Sequence, residues 1–319
     1  MNYSKELPSL IFFGTPEFAR YCLEVLFEAG FPIKTIVTAP DRKAGRGKKL
    51  SISEVKVFAT KNEISILQPK NLKDPNFIFQ LKKLKPDIQV VVAFRMLPKL
   101  VWEIPQYGTL NLHASLLPNY RGAAPINWVL INGETKTGLT TFFINEQIDT
   151  GSILLQEELT IGKSDNVGIL HDALLKLGAP LIIKTIKCIF SNTIKSKPQI
   201  QSGKEKEAPK LNPENTKIDW KDSLYDLENK IRGLSPYPGA WSFFVNHDSK
   251  DRLKIFEAQA IKEKHEYSLH QILVQDGKIL ITTKEGYLNC IQIQLPNKKR
   301  MLAKALLNGY NFDKNASVL

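Results

Sequence analysis

The chain has 319 residues, 43% hydrophobic and 24% charged, with 44 Lys and Arg against 32 Asp and Glu, a formal charge of +12. That length suffices for two domains with a buried core in the larger, and no apolar run approaches the roughly 18 residues that a membrane span requires. Cys22, Cys188 and Cys290 are odd in number and far apart, which excludes a disulfide framework and a C-x-x-C metal site and leaves three buried thiols as the expectation.

The first half alternates short β-rich runs with helical periodicity. Strands are predicted at residues 9–13, 33–38 and 87–94, with helices at 17–28 and 53–62 between them, the pattern of a parallel sheet wound with helices. Further strands follow at 109–113, 139–144 and 152–161, where the sheet becomes mixed, and then a helix over 167–190. Residues 191–213 are rich in Lys, Ser, Gln, Asn and Pro, the chemistry of a linker. Beyond it a helix is predicted over 223–232. Short runs at 240–245, 253–258, 278–283 and 287–294, spaced by Gly, Asn and Asp, then read as a small β-barrel or sandwich. The expected organisation is therefore a domain at 1–190, a linker at 191–213 and a domain at 214–319. The basic excess is shared between the halves, 23 cations against 17 acids before Ser191 and 21 against 15 from there on, so a polyanionic partner would have cations to meet in both. The opening residues 1–8 have neither the apolar run of a signal peptide nor an Arg-rich amphipathic pattern, which makes the cytoplasm the expected compartment.

Several familiar motifs fail on inspection. Gly14-Thr15-Pro16 follows the first strand, yet no G-x-G-x-x-G accompanies it, so a dinucleotide loop is not indicated. Gly47-Lys48 resembles the tail of a Walker loop, but Arg42 and Lys49 stand where Gly and Ser or Thr are required. Asp149-Thr150-Gly151 matches the aspartic-protease triplet, which works as a pair of carboxylates, and the chain holds no second copy.

The informative stretch is Asn111-Leu112-His113-Ala114-Ser115-Leu116-Leu117-Pro118-Asn119-Tyr120-Arg121-Gly122. On a strand, Asn111 and His113 point the same way near its carboxyl end, where open α/β sheets place ligands. Spacing alone leaves two readings open: a pair facing a substrate, or a hydrogen-bonded core histidine beside a turn former. The run N-x-H-x-S-L-L-P-x-x-R-G, followed by D-T-G some thirty residues on, resembles the 10-formyltetrahydrofolate transformylases. Residues 13–18 (FGTPEF), 40–50 (PDRKAGRGKKL), 218–220 (IDW), 231–240 (IRGLSPYPGA) and 298–301 (KKRM) extend the likeness, in order and spacing, to the branch that formylates methionyl-tRNA.

That resemblance implies a Rossmann-like catalytic domain and a C-terminal OB-like barrel that helps to hold tRNA. It implies 10-formyltetrahydrofolate as formyl donor, charged initiator methionyl-tRNA as acceptor, and no metal; no membrane partner is expected, and the chain is expected to be a monomer. It gives Asn111 the developing oxyanion, His113 the proton transfers and Asp149 the orientation of His113. Ser115, Leu116, Leu117 and Pro118 would line the folate, as would Phe94, Met96 and Leu97 after the strand at 87–94. There the text Ala93-Phe94-Arg95-Met96-Leu97-Pro98 departs from the usual Ala, aromatic, Gly pattern. Arg42, Lys43, Arg46, Lys48 and Lys49, five cations within eight residues, and Lys298, Lys299 and Arg300 would meet tRNA phosphates. The first of these patches lacks large apolar residues before Leu50, so an irregular loop that orders on a polyanion is expected. A sugar-nucleotide N-formyltransferase, a formyltetrahydrofolate hydrolase and a glycinamide ribonucleotide transformylase share this core. Two distant basic patches favour tRNA over a sugar nucleotide, and the second domain argues against the glycinamide enzyme. A non-enzymatic tRNA-binding module with a vestigial site is the alternative of another class, disfavoured by the intact Asn111, His113 and Asp149.

Overall fold

A computed structural model describes residues 7–44 and 49–319, the side chains of 43, 44 and 49 excepted. It divides the chain into two compact units, each assembled from separate stretches: residues 1–122, 138–159 and 172–206 in the first, and residues 123–137, 160–171 and 207–319 in the second.

The first unit begins with β1 (Leu10–Gly14), α1 (Glu17–Glu28) and β2 (Ile33–Val37). A short hairpin follows, β3 (Arg42–Ala44) against β4 (Lys49–Ser51), paired antiparallel with Arg42 opposite Ser51. The expected irregular loop is thus a ladder at both ends, while residues 45–48 lie outside the described part. Helix α2 (Glu54–Lys61) starts at Ser53, whose hydroxyl accepts from the Lys56 N–H, and leads to β5 (Ile66–Leu67). Helix α3 (Pro75–Leu84) was not predicted from the sequence. Its start carries the usual chemistry: Asp74 accepts from the Phe77 N–H and Pro75 occupies the first turn.

There follow β6 (Ile88–Val92), α4 (Lys99–Trp102), β7 (Thr109–His113) and the two-residue β8 (Arg121–Gly122). After α5 (Pro125–Ile131), which belongs to the second unit, come β9 (Lys136–Phe143), β10 (Ile153–Thr160) and α6 (Val167–Phe190).

The strand order is β10-β9-β7-β6-β1-β2-β5, with β7, β6, β1, β2 and β5 parallel and β9 antiparallel to β7. Every residue of β1 and β6 is buried, as central parallel strands covered on both faces should be. From β1 the chain moves outward through β2 and β5, then returns to place β6 on the other side of β1. This is the switch point beyond whose carboxyl ends such sheets bind ligands. Ile11, Phe13 and Val91 pack with Leu72, Phe77, Leu81, Leu97 and Val101 into one core cluster beneath that edge.

The second unit holds β11 (Glu207–Ala208), α7 (Leu224–Gly233), β12 (Ala240–Asn246), β13 (Ser249–Lys262), β14 (Ile272–Gln275), β15 (Lys278–Thr283), β16 (Gly286–Gln294), β17 (Met301–Leu302), α8 (Ala303–Leu307) and β18 (Ser317–Val318). The antiparallel path is β14-β15-β16-β13-β12-β18. Its two ends meet, with Ile272 N–H donating to Ala316 O at 2.8 Å and Val318 N–H to His270 O at 2.9 Å. The sheet therefore curls into the expected barrel, which removes the exposed edges an open sheet would present. Leu224, Leu227 and Ile231 of α7 share the barrel core with Phe244, Leu253, Ile255, Ile281 and Leu288. Cys290 lies in that core and Cys22 in α1 is buried; burial pushes both thiols up to about 12. Cys188 departs from the expectation of three buried thiols, since it is only half-buried on α6.

Candidate active site

Strand β7 lies between β6 and β9, with Asn111 opposite Val91 on one side and Phe142 on the other. The polypeptide therefore delivers Asn111 and His113 to the carboxyl edge of the sheet, beside residues 93–98 that leave β6. His113 is buried and Asn111 half-buried. None of the side-chain hydrogen bonds among the described residues engages the Asn111 carboxamide, so its N–H donors are available to a ligand.

His113 is held from both sides. Its Nε2 lies 2.8 Å from the Tyr120 carbonyl oxygen, which can only accept, so Nε2 carries a proton. Its Nδ1 faces Asp149 Oδ2 at 3.6 Å, within ion-pair range and beyond a hydrogen bond. Asp149 Oδ2 accepts from the Gly122 N–H at 2.9 Å, and the carboxylate side chain is only 12% exposed.

Both partner residues have left-handed backbones, Tyr120 at φ 61° and Asp149 at φ 52°, conformations that tight turns impose at sites where side chains are aimed. The glycine of D-T-G has a packing reason of its own. A Cβ on Gly151 would fall 1.6 Å from the Phe143 carbonyl oxygen, so no other residue fits at that close approach.

The loop after His113 is cross-braced. Buried Ser115 donates from Oγ to Asn119 O at 2.6 Å, and Thr140 Oγ1 on β9 donates to Ser115 O at 2.7 Å and accepts from Leu117 N–H at 3.1 Å. Gln156 Nε2 on β10 donates to Leu117 O at 3.0 Å. Leu117 is buried, whereas Leu116 and Pro118 keep half-buried surfaces. Tyr120 and Gly122 lie in the motif without a role assigned to them, and Thr140 and Gln156 lie outside it. Two of them act through backbone atoms, for which residue type carries no signal.

On the adjacent β6 side, a groove of about 630 Å³ is lined by Leu72, Met96, Leu97 and Leu100 together with Lys70, Lys73, Arg95 and Lys99. Leu97 is buried, Met96 is 61% exposed, and Phe94 packs edge-on against Phe13. Arg95 lies over the Phe94 ring and donates to Lys70 O at 2.9 Å and to Pro69 O, tying residues 93–98 to those that follow β5. Burial, and after it the nearby charge of Arg42, pushes the Arg95 guanidinium below its ordinary range.

Of the first basic patch, Arg42 is exposed on β3, while Arg46, Lys48 and the side chains of Lys43 and Lys49 lie outside the described residues. Lys298, Lys299 and Arg300 form an exposed turn between β16 and β17 of the second unit, with Arg300 4.5 Å from the centre of the Phe256 ring. No group of three or more His, Cys, Asp or Glu side chains among the described residues is placed to hold a metal ion. Nor is any described helix long and apolar enough to cross a membrane.

The chain combines an α/β sheet, whose carboxyl edge carries Asn111 and His113, with a closed antiparallel barrel, the two-domain plan of the formyl-transferring enzymes. The family model for formyl transferase matches residues 9–186, and that for the formyl transferase C-terminal domain matches residues 210–311. The chain is 48% identical over 309 residues to the methionyl-tRNA formyltransferase of Flavobacterium johnsoniae, covering 97% of this chain and 98% of that one. Identity to its counterpart in Flavobacterium psychrophilum is 45% over 310 residues, with the same coverage. Among solved structures, a sugar 3N-formyl transferase determined with dTDP and 5-N-formyl-THF superposes with a TM-score of 0.65 at 20% identity, over 92% of this chain and 99% of that chain, a likeness of fold alone. The chain belongs to the methionyl-tRNA formyltransferase family of formyl-transferring enzymes.

Proposed function

We propose that the chain transfers the formyl group of 10-formyltetrahydrofolate to the free α-amino group of methionyl initiator tRNA. The observation that carries this reading is the gathering of Asn111, His113 and Asp149 at the carboxyl edge of the sheet, in a chain of this family. The bound folate supplies an activated formyl carbon. The groove beside Phe94, Met96 and Leu97 and the loop Ser115–Pro118, with Leu116 turned partly outward, would hold it.

The protein's own residues handle charge and protons. An α-amino group has an ordinary pKa of about 8, so at neutral pH much of it is protonated and attack requires a proton acceptor. With Nε2 committed to the Tyr120 carbonyl, the lone pair of a neutral His113 ring is on Nδ1, the nitrogen that faces Asp149. The ammonium form first gives its extra proton to solvent; as the neutral amine attacks and the new C–N bond forms, Nδ1 accepts the second proton, the Asp149 carboxylate pairs with the resulting imidazolium, and that proton passes to the folate nitrogen as the old C–N bond breaks. Asn111 donates to the acyl oxygen as negative charge develops there. By the same reading, Arg42, Lys43, Arg46, Lys48 and Lys49 hold tRNA from the domain at 1–190. Lys298, Lys299 and Arg300 hold it from the domain at 214–319.

The test is formyl transfer to charged initiator tRNA, with elongator methionyl-tRNA, a 4-amino sugar nucleotide and water as competing acceptors. Preferential formylation of the sugar nucleotide, or hydrolysis alone, would overturn the proposal.

A further inference from the structure

Residues 197–206 read as linker in the sequence, yet they are bonded to both turns that hold His113. Lys197 exchanges backbone hydrogen bonds with Ile153, its N–H donating at 2.8 Å and its carbonyl accepting at 2.7 Å. Lys206 O accepts from the Tyr120 N–H at 2.5 Å, and the Lys206 N–H donates to Asn119 Oδ1 at 3.1 Å. Between these anchors, the half-buried Gln199 uses its whole carboxamide. Nε2 donates to Asp149 O at 2.8 Å and Gly151 O at 2.9 Å, while Oε1 accepts from Arg121 Nε at 3.1 Å and from a terminal Arg121 nitrogen at 2.5 Å.

We infer that Gln199 is a positioning residue, which acts through Asp149 by clamping the Asp149–Gly151 turn to Arg121 so that the carboxylate faces His113 Nδ1. The inference rests on the proposed acyl transfer for the roles of His113 and Asp149. Its geometry has a plain chemical basis. The turn offers two carbonyl acceptors and Arg121 offers donors, so the side chain between them must donate twice and accept at its other end, which a primary amide does and a carboxylate or hydrocarbon does not. Asp149 sits at a positive φ and, among the described residues, Gly122 N–H is the one donor to the oxygen that faces His113. The turn is braced from one side by Thr150 Oγ1, which donates to Asn145 Oδ1 at 2.9 Å, and Gln199 grips it from the other through the Asp149 and Gly151 carbonyls. A glutamate at 199 would satisfy Arg121 yet turn a negative oxygen on the Asp149 and Gly151 carbonyls. An asparagine would fall one methylene short of one side.

The experiment compares wild type, Gln199→Ala, the near-isosteric Gln199→Glu, Asp149→Asn and the double variant Gln199→Ala/Asp149→Asn in formyl transfer to charged initiator tRNA. Melting temperature and a crystal structure of each Gln199 variant accompany the kinetics. Both Gln199 variants are expected to lose about tenfold or more in kcat, with the KM for tRNA and for folate within about threefold of wild type. In the Asp149→Asn background the Gln199 substitution is expected to add nothing, because its effect runs through that carboxylate. The crystal structures are expected to show Asp149 displaced from His113. An unchanged kcat, or losses that multiply in the double variant, would overturn the inference, as would an Asp149 still 3.6 Å from His113. If wild type itself fails to formylate the tRNA, the proposed function falls, and the crystal structures still decide whether Gln199 holds the turn.

Discussion

At the level of single residues, the site separates charge handling from binding. On the proposed mechanism, Asn111→Ala and His113→Ala remove groups that act on developing charge and on protons. Each is therefore expected to lower kcat by about a hundredfold or more, with little change in the KM for tRNA. Asp149→Asn keeps the shape and the Gly122 contact but removes the charge beside Nδ1, and should cost nearly as much as Asp149→Ala. Steady-state kinetics with charged initiator tRNA check all four, and a His113→Ala enzyme with near-normal kcat would end this assignment. On the proposed reading, Arg95 serves binding. Its hydrogen bonds to the Pro69 and Lys70 carbonyls hold residues 93–98 against those after β5. Arg95→Gly frees that segment, so the KM for folate should rise about three- to tenfold while the KM for tRNA stays put, the scale expected when partly exposed charge-assisted hydrogen bonds are lost. Unaltered folate kinetics would show that the groove is not where folate lies.

At the level of elements, the hairpin β3–β4 has a clamp at its base. Asp41 Oδ2 accepts from Lys56 Nζ at 2.6 Å and its Oδ1 accepts from Gln68 Nε2 at 2.9 Å, while Gln68 also bonds Lys56 Nζ and the Ala39 carbonyl. Hydrogen bonds from Lys56 and then Gln68 hold the Asp41 carboxyl below the usual carboxylate range. A carboxyl lowered on folding contributes its stabilisation in full above its unfolded pKa of about 3.9 and loses it as pH falls through the lowered folded value. The clamp should thus persist through mild acid and open only below about pH 4. Asp41→Asn should open it at neutral pH, as faster amide exchange at β3 and β4. Equal exchange in variant and wild type would show that the ladder stands without the clamp.

The hairpin also marks how far elements could be read from sequence. Helices α1 and α6 and strand β7 fell where periodicity put them, because apolar spacing and burial agree there. The hairpin ladder was unreadable, since Arg, Lys, Ala and Ser carry no strand signal and the pairing is a property of the backbone. Helix α3 is legible in its Asp74-Pro75 start, but the lysines of its last turn dilute the apolar pattern that would mark it. At the site, Asn111, His113 and Asp149 were written in the motif. The Tyr120 carbonyl, the Gly122 N–H and Gln199 were not, since two are main-chain atoms and the third lies in a polar stretch that composition describes as linker.

At the level of the whole molecule, the charge of +12 is divided evenly along the chain, and each unit presents an exposed basic site, Arg42 in the first and Lys298, Lys299 and Arg300 in the second. A single anion-binding cleft would concentrate its cations in one place; a long polyanion is met by cations on both units, and its binding should weaken steeply with salt. Each phosphate contact contributes about 0.7 to 0.9 to the slope of log affinity against log salt. Replacing Arg42, Arg46, Lys48 and Lys49 by alanine should therefore lower the slope by up to about 3, and replacing Lys298, Lys299 and Arg300 by up to about 2.5. Because the two sets lie in different units, the reductions should add in the combined variant, while folate KM and kcat at saturating tRNA stay near wild type. Exposed solvated charges that touch no phosphate would leave the slope unchanged, since only contacts that release counterions contribute. Binding of charged initiator tRNA from low to moderate salt, with the wild type and all three variants side by side, distinguishes the cases. A variant whose curve runs parallel to wild type removes its patch from the tRNA interface, and parallel curves for all three would mean that the polyanion is held by cations elsewhere on the two units.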